Sequence, residues 1–244
     1  MGKSKDLATG NSAAYVETAG DTMTGNLGIG ASPSVPLDVV KAGGGNFVAR
    51  FQNTTDATPY GVHIKDASSG ANGYPLFQVT NGAGSVAHLK VMSGTGHVLM
   101  PSQPSFFARG SQNNWVSISN GTRSSPTYAT PAFNPGSHFS TSNGRFTAPV
   151  NGVYYFHFHP YVKMNSVSDL GYYGTTEILV NDNLYNGQET IYGYQNNGDY
   201  DQIQTVTSIM SLSSGDYVTT AVQANSADVS FYGSACYFMG YLIG

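Results

Sequence analysis

Apolar residues recur at every second position in this chain, in short runs closed by turn formers, and a period of two restricts such a chain to β structure. The early runs are Leu37 and Val39; Phe47, Ala49 and Phe51; Val62 and Ile64; Phe77 and Val79; Ala87, Leu89 and Val91; Val98 and Met100. Between them stand Gly43-Gly44-Gly45, Ser69-Gly70, Asn81-Gly82 and Gly94-Thr95-Gly96, and no stripe of helical period competes. Later runs are longer and more aromatic. They predict strands near 104–108, 114–119, 128–134, 145–149, 152–162, 175–181, 187–194, 202–212, 216–224 and 229–243. The turns expected between them include Asn143-Gly144, Asn151-Gly152, Asn186-Gly187 and Ser214-Gly215-Asp216. Ten strands in about 140 residues describe an antiparallel two-sheet sandwich, so the fold class expected is all-β.

Composition excludes several functions. Only 10% of the 244 residues are charged, against about 25% in an average soluble chain. That rules out a charged disordered chain and a charge-laced coiled coil. The net charge is −4 and the ten Lys and Arg are scattered, so no basic stripe exists for nucleic acid. Cys236 is the single cysteine, flanked by apolar residues in SACYFMGYLI, and reads as a small buried hydrophobe. The first 17 residues lack the apolar core of a secretion signal, and no apolar stretch of about 18 residues occurs. Neither secretion by that route nor membrane insertion is expected. Gly25-x-x-Gly28-x-Gly30 and Gly82-x-Gly84 lack the lysine and following helix of a nucleotide loop, and no Ser stands in a G-x-S-x-G elbow, so neither cofactor nor catalysis is expected.

Charge divides the chain. Residues 1–103 carry six basic and six acidic groups, whereas 104–244 carry four and eight, and the change falls at the proline pair of Met100-Pro101-Ser102-Gln103-Pro104. The expected organisation is an attachment segment at 1–21, a β-rich shaft at 22–103 and a sandwich head at 104–244. The shaft strands hold too few apolar residues to offset backbone ordering of roughly 1–2 kcal/mol per residue. The remedy is a shared interior: three chains wound into an intertwined trimeric β shaft.

Phe133-Asn134, Gly144-Arg145-Phe146-Thr147-Ala148-Pro149, Gly152-Val153-Tyr154-Tyr155-Phe156, Leu212-Ser213-Ser214-Gly215-Asp216-Tyr217-Val218 and Phe238-Met239-Gly240-Tyr241-Leu242-Ile243 follow one another in the order of the complement component 1q head. The C-terminal part resembles that head, one of the tumour-necrosis-factor-like jelly rolls. The resemblance implies a ten-stranded jelly-roll sandwich that assembles as a three-fold trimer, its first and last strands near the axis. A second resemblance covers residues 18–40, where Gly20-Asp21-Thr22-Met23-Thr24-Gly25 and Gly25-Asn26-Leu27-Gly28-Ile29-Gly30, followed by Pro36-Leu37-Asp38-Val39, are similar to segments of bacteriophage tail fibres. Gly96-His97-Val98-Leu99-Met100-Pro101 is similar to the shaft-to-knob passage of such proteins.

Three groups of residues invite a site. Tyr172, Tyr173, Tyr185, Tyr192, Tyr194 and Tyr200 lie among Asn196 and other amides, the rigid-aromatic and adaptable-amide composition of antibody paratopes, and make a candidate receptor surface for a glycan or protein. His157 and His159, two apart on a strand, share one face where three-fold symmetry would gather six imidazoles about a metal. Asp199 and Asp201, with Asp182 and Glu189 nearby, are the acids that a calcium site or a glycosidase pair would draw on; solvated loop acids and packed histidines are the simpler readings.

The function these readings imply is adhesion by a homotrimeric phage tail fibre, located on the virion. Its N-terminus would dock on other tail proteins and its head would bind the host surface by avidity. The competing classes are a purely structural virion fibre or adaptor, a polysaccharide depolymerase, and a lectin-like cellular module.

Overall fold

The computed structural model describes residues 27–29, 37–39, 64, 74–81, 83–93, 95–164, 173–192, 200–225 and 228–244, and the chain divides into two compact units, Met1–Lys65 and Asp66–Gly244. The described residues form nineteen strands, two short 3-10 turns and no α-helix. The expected runs at 47–51 and 62, and the attachment segment 1–21, lie outside the described residues.

In the first unit β1 (Leu27–Ile29) pairs in parallel with β2 (Leu37–Val39), Leu27 opposite Leu37. In the second, β3 (Pro75–Thr80), β4 (Ala87–Met92) and β5 (Val98–Leu99) form an antiparallel meander. Its first turn is closed by Asn81, whose Oδ1 accepts from the backbone N–H of Ser85 and Val86 at 3.0 and 3.1 Å. No apolar side chain of these three strands is buried, and Phe77, Val79, Val98 and Leu99 are exposed. A sheet of this size needs a covered hydrophobic face to be stable.

The remaining strands make an antiparallel sandwich. They are β6 (Ser105–Arg109), β7 (Trp115–Ile118), β8 (Arg123–Ser124), β9 (Phe139–Ser140), β10 (Arg145–Thr147), β11 (Gly152–His159), β12 (Tyr161–Met164), β13 (Tyr173–Val180) and β14 (Asn183–Tyr192). Then come β15 (Tyr200–Ile203), β16 (Val206–Leu212), β17 (Tyr217–Ala224), β18 (Val229–Tyr232) and β19 (Tyr237–Leu242). One layer has the order β14-β13-β17-β10-β9, with β8 on β17. The opposing layer comprises two four-stranded sets, β16-β11-β19-β6 and β15-β12-β18-β7. Each strand of the first set is continued in the chain by its counterpart in the second, so this is one four-column sheet crossed by a seam.

Pro160 explains the seam in the β11–β12 column, because it has no N–H to donate to a neighbour. Beside it the turn Gly233–Ala235 separates β18 from β19, and Gly110–Asn114 separates β6 from β7. The backbones are stitched across by Gly110 N–H to Cys236 O at 2.8 Å and Ser234 N–H to Gln112 O at 2.6 Å. They approach so closely that a Cβ on Gly110 would collide with the Gly233 carbonyl, which leaves only glycine there. Alternation survives the seam: Tyr154, Phe156, Phe158, Pro160, Val162 and Met164 are all buried.

These side chains meet Phe139, Phe146, Ile178, Val218 and Val222 of the other layer in one core. Its centre is aromatic. Phe106 stacks on Phe139 at 4.6 Å between ring centroids and meets Phe238 edge-on at 4.8 Å. Burying rings of this size contributes roughly 1.5–3 kcal/mol each, and favourable ring pairs add about 0.5–1.5 kcal/mol.

Several expectations need correction. The run 128–134 forms no strand; Pro131 interrupts it, leaving single bridges from Tyr128 to Gly110 and from Phe133 to Phe107. Asn186-Gly187 is not a turn, since β14 runs through it. The β13–β14 turn is Asn181-Asp182, with φ of 52° and 63°, the left-handed pair a two-residue hairpin requires between Val180 and Asn183. The single strands expected at 152–162, 202–212 and 229–243 are each broken at the seam.

Candidate functional site

The strand register lays out the outward face of the four-column sheet. Outward residues across the columns β16, β11, β19 and β6 are Ile209, Tyr155, Tyr241 and Ser105 in one row and Thr207, His157, Met239 and Phe107 in the next. The following row holds His159, Tyr237 and Arg109. Val153 and Ile243 stand at one end of this field, and Phe133 flanks Phe107 with 6.3 Å between ring centroids. Ile209 is 63% exposed, Phe133 50%, Ile243 49% and Tyr241 47%. In the first two rows no described residue carries a formal charge.

A contiguous apolar sheet face of this kind is unusual on a surface that meets only water, because water penalises it by about 25 cal/mol per Å². Antiparallel sheets with one solvated face alternate apolar with polar residues. β19 does not: Phe238 and Gly240 are buried on the inside, yet Tyr237, Met239 and Tyr241 line the outside. That run, Cys236 to Ile243, was the signal available in the sequence, since a strand apolar on both faces is one covered on both. Ile209 between Thr207 and Ser211 was the second.

His157 and His159 share this face, as their spacing predicts. Their rings lie 6.4 Å apart, and Tyr237 stacks on both, at 4.3 Å from His159 and 5.6 Å from His157. Nδ1 of His157 and Oγ1 of Thr207 are hydrogen-bonded at 2.9 Å. Burial lowers the pKa of both imidazoles, and the neighbouring charge of His157 lowers that of His159 further. Among the described residues no three His, Cys, Asp or Glu side chains gather closely enough to hold a metal.

Beyond the seam, Trp115 packs against Tyr161 at 5.3 Å and Tyr232 at 5.4 Å, while the Lys163 ammonium lies 4.6 Å above the indole. The cluster covers itself. It continues the aromatic character of the face.

The tyrosine-rich stretch is distributed over two layers. Tyr173 opens β13 opposite Tyr192 of β14, and Tyr173 is exposed. Tyr185, also exposed, stands seven residues from Tyr192, about 23 Å along a strand. Tyr200 opens β15 on the other layer, opposite Met164, and Asp201 is opposite Lys163. Tyr172, Tyr194, Asn196 and Asp199 lie outside the described residues. At the hairpin end, Asp182 accepts from Tyr217 Oη at 2.6 Å and pairs with Arg145 at 3.3 Å, while the Arg145 guanidinium lies 3.9 Å above the Tyr217 ring. These contacts account for Asp182 as a turn clamp.

Two packed antiparallel layers in this strand order, closed by an aromatic core and bearing one bare apolar face, define a jelly-roll module of the C1q type. The C1q domain family model matches residues 116–243, and the chain belongs to that family. Among solved structures it is similar to the globular domain of zebrafish complement 1qA protein, at 17% identity and a TM-score of 0.39, covering 58% of this chain and 98% of that one. It is similar also to Eiger TNF from S. frugiperda, at 12% identity and a TM-score of 0.44, covering 59% of this chain and 94% of that one. No curated protein matches the chain.

Proposed function

We propose that the chain is a homotrimeric fibre protein of a virion that adheres to a host surface. Its C1q-like head would self-associate through the outward face of the β16-β11-β19-β6 sheet and bind the host with surface left exposed around the trimer. The carrying observation is that face: Ile209, Val153, Tyr241, Met239, Phe107 and Phe133 form an apolar field whose first two rows carry no charge, and a second and third copy supply its cover. Domains of this family typically form homotrimers, which agrees with the reading.

The unburied β3–β5 meander supports the same assembly from the other end of the chain. Its exposed Phe77, Val79 and Val98 need an interior that one copy lacks, as expected of the trimeric shaft at 22–103. The tail-fibre-like motifs at 18–40 and 96–101 support a virion setting, with the N-terminus on a tail protein and the head outermost. Adhesion then arises from avidity: three copies of one weak site on a rigid head raise the effective concentration of each. The tyrosines from 172 to 200 are the proposed receptor surface, with a glycan or a surface protein as ligand.

Sedimentation tests the assembly, with three times the 25.8 kDa chain mass expected. The Ile209→Lys variant should keep its fold and sediment as a monomer, because Lys adds a charge to the apolar field. A folded wild-type monomer refutes the reading. Electron microscopy of particles decorated with an antibody to the head, together with host adsorption by the isolated trimer, separates an adhesin from a structural appendage. Release of oligosaccharide from host polysaccharide would point instead to a depolymerase.

A further inference from the structure

We infer that assembly of the head is pH-gated by His157 and His159: three heads associate while these imidazoles are neutral and part when they are protonated. The inference rests on the assembly reading above and adds its regulation. His157 lies in the second row of the apolar field and His159 in the row that borders it, beside Tyr237 and Arg109, and no carboxylate of the described residues stands in these rows. On their own column stand Tyr155, Tyr161 and Lys163; on β19, Tyr237 and Tyr241; on β6, Arg109; and on β16, Thr207. Among the described residues the cations of this neighbourhood are Arg109 and Lys163, the latter four residues along the column from His159. The carboxylate placed nearest among the described residues is Asp201 on the neighbouring strand β15, opposite Lys163.

Covering the face strips water from the rings and brings the copies' histidines and arginines together. Desolvation and like charge both disfavour the imidazolium, so each pKa falls further on assembly. The direction is already set within one chain, where partial burial holds both below the ordinary value. A group whose pKa is lower in the assembled state favours that state above its free pKa and opposes it as pH falls through that value. Association is thus complete near neutral pH and is lost as pH falls through the free-chain pKa values of the two imidazoles, which burial holds below the ordinary value. Protonating both rings adds two charges per copy and six per trimer to the faces that the assembly covers. Tyr237 contributes by stacking on both rings, at 4.3 Å from His159 and 5.6 Å from His157, so they cannot swing out to water without giving up those contacts.

The test is sedimentation of the full chain at pH 7.5 and pH 5.0, with circular dichroism at both. The expected result is trimer at pH 7.5 and a loss of trimer affinity of about a hundredfold or more at pH 5.0 with the β spectrum unchanged. The variant His157→Asn with His159→Gln keeps a polar, hydrogen-bonding side chain at both positions but cannot be protonated, and it should remain trimeric at pH 5.0. Trimer at both pH values overturns the gate and leaves the assembly reading standing. Monomer at both overturns the assembly reading and the gate with it. Dissociation accompanied by loss of the β spectrum is acid unfolding and also overturns the gate. Should the double variant fail to fold, NMR titration of the histidines in wild type and in Ile209→Lys decides: lower midpoints in the trimer support the gate, and equal midpoints overturn it.

Discussion

The Tyr128 hydroxyl and the Thr220 hydroxyl are hydrogen-bonded at 2.5 Å inside the core, a polar link between the two layers of the sandwich. Both residues are buried, and desolvation drives the phenol pKa far above its ordinary value, so Tyr128 stays protonated throughout the accessible pH range.

Removing one partner strands the other. Tyr128→Phe leaves the Thr220 hydroxyl dry and unpaired and should cost about 1–3 kcal/mol in urea unfolding, whereas adding Thr220→Val should restore stability to within about 1 kcal/mol. A double variant as weak as the single one would show that the bond is not what the substitution removed.

Thr176 presents the opposite case. It sits fully buried on β13 opposite Val222, and its Oγ1 has no hydrogen-bond partner. Thr176→Val replaces an unsatisfied hydroxyl with a methyl of similar volume and should stabilise the head by about 1 kcal/mol. A lower urea midpoint would show that the hydroxyl is satisfied by water.

Gly240 on β19 sits directly beneath the Phe156 ring, which a Cβ would strike, with the Tyr155 carbonyl oxygen only 2.8 Å from the same position. Gly240→Ala therefore overpacks the core and should cost roughly 1–3 kcal/mol, seen as a lower melting temperature. The glycine is a packing requirement and not a turn.

Cys236 is buried, and burial pushes its thiol up to about 11, so at pH 8 about one molecule in a thousand carries the thiolate. Aromatic disulfide reagents should leave the native protein unmodified over hours at pH 8 and react fully once urea unfolds it. Rapid native reaction would place the thiol at the surface.

Glu177 shows where the sequence was silent. It lies fully buried on β13 with Nε of Arg123 2.6 Å from its Oε2, a coulombic contact whose N–H is not aligned on that oxygen, and Thr175 Oγ1 donates to Oε1 at 3.1 Å. Arg123 is 54 positions away in the chain and pairs through β8 onto the edge of β17, so nothing local announces the partner. The histidines were half legible: a spacing of two placed them on one face, but the stack on Tyr237 and the rows they share with Met239 and Arg109 came from the register of β11 with β19 and of β19 with β6.

Period-two alternation, punctuated by glycine, proline and asparagine, was enough to specify an all-β chain, most strand positions and a family whose blocks run in order from Phe133 to Ile243. These are local properties, set by which side chains share a face and where the backbone turns. The tertiary structure alone decided which face meets what. It showed that the break at Pro160 lines up with breaks in the neighbouring columns to make one seam across the sheet, that Asn181-Asp182 turns where Asn186-Gly187 does not, and that one side of β11, β16 and β19 is left apolar and open. Alternation distinguishes the two faces of a strand but carries no information about what lies opposite either, because that depends on pairing between residues far apart in the chain.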